Sequence, residues 1–202
     1  MRFWSPFHTS SIDIISDAPN KLIFRAPDRI RLQMTVDHLD FNQNPGTCLT
    51  HYNYETRLWE CFHSPHTTGQ HRLFLWALDT EKDDQWATAV RFDFYIKQKG
   101  DIIYFPKTTN TFTILRCQLL KSIDGCLSRE SLPTDIVVRV PGVRGVQLQI
   151  DEQTLITGKN LKNSIYSLQI PANIPAHVKD LVVMGLCADD TYYSILITYK
   201  IE

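Results

Sequence analysis

Residues 30–36 read IRLQMTV. Ile30, Leu32, Met34 and Val36 are apolar, and Arg31, Gln33 and Thr35 between them are polar. A period of two is the pattern of a β-strand with one buried face. Residues 21–26, KLIFRA, place Leu22 and Phe24 on one face in the same way. In residues 89–96, AVRFDFYI, the pattern sets Val90, Phe92, Phe94 and Ile96 against Arg91, Asp93 and Tyr95. Residues 72–78, RLFLWAL, are apolar almost throughout, which predicts a strand buried on both faces or one at the centre of a sandwich. Turn formers separate these runs: APN, APDR, NQNPG, SPHTTG and EKDDQ. Short strands at this spacing predict a sandwich or a barrel.

The second half repeats the plan. TFTILRCQLL, DIVVRV, VQLQI, SIYSLQI, DLVVMGLCA and YYSILITYKI read as strands, with Pro141-Gly142 as a turn. In the last run Tyr193, Ile195, Ile197 and Tyr199 are expected opposite Ser194, Leu196, Thr198 and Lys200. No long amphipathic helix is expected; residues 173–180, NIPAHVKD, allow one turn, limited by Pro175. Both halves end on an apolar strand closing in Ala, an acidic turn, an aromatic residue and an alternating strand. A repeat of about 100 residues is the size of one immunoglobulin-type sandwich. The expected fold is all-β: two tandem immunoglobulin-like β-sandwich domains over residues 1–100 and 101–202, with the boundary at Gly100.

The totals exclude several classes of function. With 202 residues the chain can bury a core without staples. A formal net charge of -1 offers no general attraction to nucleic acid or acidic lipid. No apolar run reaches the length of a membrane helix, and residues 1–11, MRFWSPFHTSS, lack the core of a signal peptide. Five cysteines (Cys48, Cys61, Cys117, Cys126 and Cys187) without such a signal predict reduced thiols and a cytoplasmic setting. Cys48 and Cys61 are too close in sequence for an inter-sheet bridge, whereas Cys126 and Cys187 have a workable spacing.

The chemistry-bearing stretch is residues 61–77, CFHSPHTTGQHRLFLWA, with His51 and Cys48 upstream. Cys48, His51, Cys61, His63 and His66 are the residue types that zinc takes. On strands, however, Cys48 and His51 point to opposite faces, and no short-spaced Cys pair is present. A thiol nucleophile could be drawn as Cys61 with His63 or His71 as base and Asp79 as orienting carboxylate. Cys61 instead alternates with Trp59 and His63 as a packing position. Trp59, Trp76 and Trp86 suit a sandwich core better than a ligand platform. Asp79, Glu81, Asp83 and Asp84 make an acidic hairpin tip without the glycine and terminal glutamate of a calcium loop. Pro65 and Gly69 explain a turn, and His63, His66 and His71 are expected at the surface beside it. No catalytic, cofactor or metal residue is expected.

Several features carry a resemblance. In the second half they are Phe105-Pro106 with a following strand, the G-x-L of Gly125 to Leu127, the VPGV of Val140 to Val143, and Tyr193, Leu196 and Tyr199 near the end. In the first half they are residues 17–36 and the P-x-x-x-G-x-H-x-L of Pro65 to Leu73. These resemble the C-terminal region of the kyphoscoliosis peptidase and hillarin family. The resemblance implies accessory immunoglobulin-like domains that accompany a transglutaminase-like core with a Cys-His-Asp triad. The chain begins where such a core would end, and no segment resembles the helix that presents the nucleophile. The implied function is a non-catalytic protein-interaction or scaffolding module with cytoskeletal protein partners. The alternative is a fragment or docking portion of a transglutaminase-like cysteine peptidase. No nucleic acid, membrane or cofactor is expected.

Overall fold

A computed structural model describes residues 13–16, 21–38, 46–82, 85–98 and 101–202. The expected boundary at Gly100, the carboxylates Asp83 and Asp84, and the turn residues 18–20 and 42–45 lie outside these. The chain is nearly all β and divides into two compact units, Met1–Tyr104 and Phe105–Glu202.

The first unit holds β1 (Asp13–Ser16), β2 (Lys21–Arg25), β3 (Ile30–His38), β4 (Thr47–Asn53), β5 (Leu58–Ser64), β6 (Gly69–Asp79) and β7 (Ala87–Ile96). They form two antiparallel sheets, ordered β1-β2-β5-β4 and β3-β6-β7. Apolar alternation explains the pairing of sheets, because each strand must bury one row. Leu22 and Phe24 from one sheet meet Leu32, Met34, Leu73, Leu75 and Phe92 from the other, with Trp59 and Cys61 in the same core. Phe24 and Phe92 join the layers with ring centroids 6.4 Å apart. Along one side the sandwich is laced shut, since the Met34 backbone N–H donates to Thr50 Oγ1 at 3.0 Å.

Residues 72–78 are not buried on both faces; they lie in β6, the middle strand of its sheet. Leu73, Leu75 and Leu78 are buried, but Phe74 and Trp76 are only half-buried on the outer face. Their side chains shield each other: the two rings lie tilted by 34° with centroids 5.7 Å apart, and Trp76 Nε1 donates to Thr35 Oγ1 at 3.0 Å.

The second unit runs β8 (Lys107–Thr108), α1 (Asn110–Ile114), β9 (Gln118–Lys121), β10 (Cys126–Leu127), a 3-10 turn at Arg129–Ser131, β11 (Thr134–Arg139) and β12 (Val143–Gln149). It continues with β13 (Leu155–Thr157), β14 (Lys159–Lys162), β15 (Ile165–Ile170), β16 (Asp180–Cys187) and β17 (Ser194–Ile201). One sheet is β14-β15-β11-β9. The other is β10-β17-β16-β12-β13, with β8 also on β17. All pairings are antiparallel except β10 with β17. Ile136, Val138, Leu148, Leu168, Val183 and Tyr199 fill the core.

Two expectations fail here for local reasons. Residues 111–114 are expected as strand, but they fall in α1, because the Thr109 hydroxyl caps the turn by accepting from Phe112 N. The alternation expected for the last strand breaks at a bulge. Val183 pairs with Ile197 and Met184 with Ile195, so Leu196 is the extra residue. Leu196 and Ile197 are therefore both buried, and Ile195 is turned outward at 48% exposure.

Candidate functional site

The register of the β4–β5 hairpin decides what the Cys/His-rich stretch can do. Cys48 pairs with His63, Thr50 with Cys61, and Tyr52 with Trp59. This row faces the core. On the opposite face Leu49 pairs with Phe62 and His51 with Glu60. His51 thus faces away from the two cysteines, and its Nε2 lies 3.0 Å from Glu60 Oε2. Glu60 also accepts from Lys21 Nζ at 3.0 Å and Asn53 Nδ2 at 3.3 Å. The His51 hydrogen bond, together with Lys21, pulls the Glu60 carboxyl down to about 2 against the cost of burial.

The thiols are inert packing groups. Burial pushes Cys61 up to about 12, only partly offset by a hydrogen bond with Thr50. Burial raises Cys48 and Cys117 further still. A nucleophile needs the thiolate, and these sites oppose it. The candidate carboxylate is also misplaced: eight residues of β6 separate His71 from Asp79, roughly 26 Å along a strand. Asp79 instead binds Arg29 Nε at 3.0 Å and caps the backbone N–H of Glu81. No Cys61–His–Asp79 constellation forms.

The three histidines expected at the surface are buried. His63 is 9% exposed, His66 6% and His71 0%. The β5–β6 corner folds back over the strand ends, and its backbone carbonyls face histidine rings. His71 Nε2 lies 2.8 Å from the Thr67 carbonyl oxygen, and His66 Nε2 lies 3.4 Å from that of Ile103. His38 Nε2 lies 3.2 Å from the Thr68 carbonyl oxygen. Gly69, at φ +113, passes so close to this ring that a Cβ there would stand 3.0 Å from His38 Nε2. Phe94 is the common floor, stacked on His71 at 5.6 Å and set edgewise to His63 at 5.7 Å. Burial, with His71 beside it, holds His63 down to about 4.

His38 is the member of this cluster that the motif at residues 61–77 does not contain. The signal for it lay in the first strand: residues 30, 32, 34, 36 and 38 are one alternating row, and His38 is its last member.

Zinc is not served by this geometry. His51 is on the wrong face of its hairpin, and His66 lies beyond the strand end. Among the described residues no three His, Cys, Asp or Glu side chains are grouped to hold a metal ion. The Cys126–Cys187 pairing also fails. Cys126 pairs with Lys200 at one end of β17, whereas Cys187 ends β16 beyond the Gly185–Ser194 pair at the other. Six residues of strand separate Ser194 from Lys200, about 20 Å. All five cysteines are free.

The outer face of β3-β6-β7 carries half-buried aromatic side chains among charged ones. Arg72 lies over the Phe74 ring at 5.8 Å and bonds Asp93 Oδ1 at 2.7 Å. Arg91 reaches Asp93 Oδ2 at 3.4 Å, and Tyr95 is 62% exposed. Half-buried aromatics interleaved with arginine are the residue types that dominate protein interfaces. No helix among the described residues is long and apolar enough to cross a membrane. No protein-family model matches the chain, and no curated protein matches it.

Proposed function

We propose that the chain is a tandem of two immunoglobulin-like sandwiches and acts as a non-catalytic protein-interaction module. The strand order supports the fold reading. With seven strands lettered in chain order, the first unit is A-B-E-D against C-F-G, the arrangement of a constant-type domain. Apolar Phe24 and Leu75 on strands B and F occupy the kind of place that a disulfide takes in secreted members. In the second unit β13 extends the sheet beside β12, as an added strand does in the variable type.

The observation that carries the functional reading is the Arg72–Phe74–Trp76 row with Arg91, Asp93 and Tyr95 beside it. The cysteines and the buried histidines are committed to packing and to backbone carbonyls. The outer face of β3-β6-β7 presents partly exposed aromatic and charged side chains together. The resemblance to the kyphoscoliosis peptidase and hillarin family adds the kind of partner: a cytoskeletal protein. A transglutaminase-like core, on the same chain or a separate one, is the alternative.

The test is affinity capture from the source cell with mass spectrometry, comparing the native chain with Trp76→Ala and Arg72→Glu. Partners recovered by the native chain and lost with both variants are expected. Equal recovery with all three would overturn the assignment of this face, and recovery of no protein would overturn the module reading.

A further inference from the structure

Strand β7 is the last strand of its sheet, and among the described residues no strand is hydrogen-bonded to its outer edge. The opposite edge of the same sheet is different, because β3 is tied to β4 through Met34 and Thr50. β7 is ten residues long and contains no proline or glycine. An open edge of this kind is a template for another strand. Its charge pattern identifies which strand.

We propose that two copies of this chain pair through β7, antiparallel, about a two-fold axis at Phe92. Residues opposite one another in an antiparallel ladder share a face, so with the two sheets continuous the axis must pass at a residue. An axis at Arg91 sets that arginine against itself, and an axis at Asp93 does the same to the aspartate. An axis at Phe94 sets Arg91 against Lys97 of the partner subunit. Only the axis at Phe92 places Arg91 opposite the partner's Asp93 and Asp93 opposite the partner's Arg91. Both side chains stand on the outer face, at 42% and 39% exposure. Directly opposite charges on one face stabilise a ladder, and like charges oppose it. Asp93 keeps Arg72 at 2.7 Å, and the longer contact to Arg91 at 3.4 Å is the one exchanged for the partner's arginine.

The same register sets Val90 against the partner's Phe94. The pairing is bounded at its ends, because Ala89 is the bulged residue between the Leu75–Val90 and Trp76–Thr88 pairs. A bulge interrupts a ladder. The joined stretch is therefore short and the dimer weak, at the low end of specific interfaces.

This inference rests on the interaction-module reading. Sedimentation velocity over a concentration series is the measurement, with thermal unfolding to verify that each variant folds. The native chain is expected to dimerise reversibly. Arg91→Asp and Asp93→Arg each create like-charge pairs and should each weaken the dimer at least about tenfold. Mixed in equal amounts, these two variants should form a heterodimer, since every opposed pair is again of opposite sign. The native dimer should also weaken with added salt, because the pairs are exposed, which provides a readout if a variant fails to fold. A native chain that stays monomeric at its solubility limit, variants that dimerise like the native chain, or a dimer indifferent to salt would each overturn the pairing. A monomer that still captures partners from a lysate overturns the pairing alone and leaves the module reading standing.

Discussion

The rings of His38 and His71 meet edge to face, centroids 4.6 Å apart, each carried by one member of a β3–β6 register pair. With His66 they tie the β5–β6 corner to the strand ends through Nε2 contacts with backbone carbonyls, and His63 stands beside them against Phe94. The His63 site favours the neutral imidazole, because burial disfavours its charged form. Folded His63 titrates near 4 and an unperturbed histidine near 6.5, so between those values the unfolded chain binds more protons. Stability from this residue is fully present above pH 6.5 and is lost as pH falls toward 4. The full shift corresponds to about 3 kcal/mol at most. Urea unfolding at a series of pH values should show the decline, and His63→Phe should flatten it. An acid limb unchanged in the variant would remove His63 as its source.

Glu60 is the charged hub of the opposite face, and its titration has a lower window. Its carboxyl is held at about 2 against an ordinary 4.5. That contribution is present above 4.5 and is lost as pH falls through 2. Glu60→Gln should cost about 1–2 kcal/mol at neutral pH, discounted for partial exposure. The variant should lose stability less steeply than the native chain below pH 4.5. A neutral effect at pH 7 would mean that His51, Lys21 and Asn53 draw nothing from the carboxylate.

Cys48, Cys61 and Cys117 should resist alkylation in the folded protein at mildly alkaline pH, because burial holds all three as thiols. In denaturant all five cysteines should react. Intact-mass counting of added groups over time makes the comparison. Fast native modification of Cys61 would contradict the packing described for it beside Trp59.

Gly125 has no room for a side chain: a Cβ there would overlap the Pro106 nitrogen and the Phe105 carbonyl carbon. Both neighbours are backbone and cannot swing aside, so Gly125→Ala should destabilise the second unit by about 1–3 kcal/mol. Gly142 offers a contrast, since a Cβ there meets only Leu115 Cδ2 at 4.0 Å, although its φ of +72 strains any other residue. Calorimetry of the Gly125→Ala chain should show the transition of one unit lowered and that of the other unchanged.

The strands were legible because each carries a buried row, and period two needs no tertiary information to be seen. The same pattern placed Trp59, Cys61 and His63 on one face and His51 on the other. It was blind where a single extra residue intervenes, as at Leu196 and Ala89, because a bulge is set by the partner strand. It was blind to α1, where one hydroxyl at Thr109 outweighs the β-branched residues that follow. The histidines were misjudged because polarity was read as exposure. What buries them is the set of backbone carbonyls at Thr67, Thr68 and Ile103 that their rings face, an arrangement that exists only once the corner has folded.

One anchoring feature has a mechanical meaning. Ile103 donates its N–H to Ser64 Oγ at 2.9 Å, and its carbonyl accepts from Thr47 Oγ1 at 2.9 Å, with His66 close by. The segment leaving the first unit is therefore clamped to the ends of β4 and β5. Tension applied from the downstream side enters at Thr47 and Ser64 and is spread over a hairpin before it reaches the end of β7.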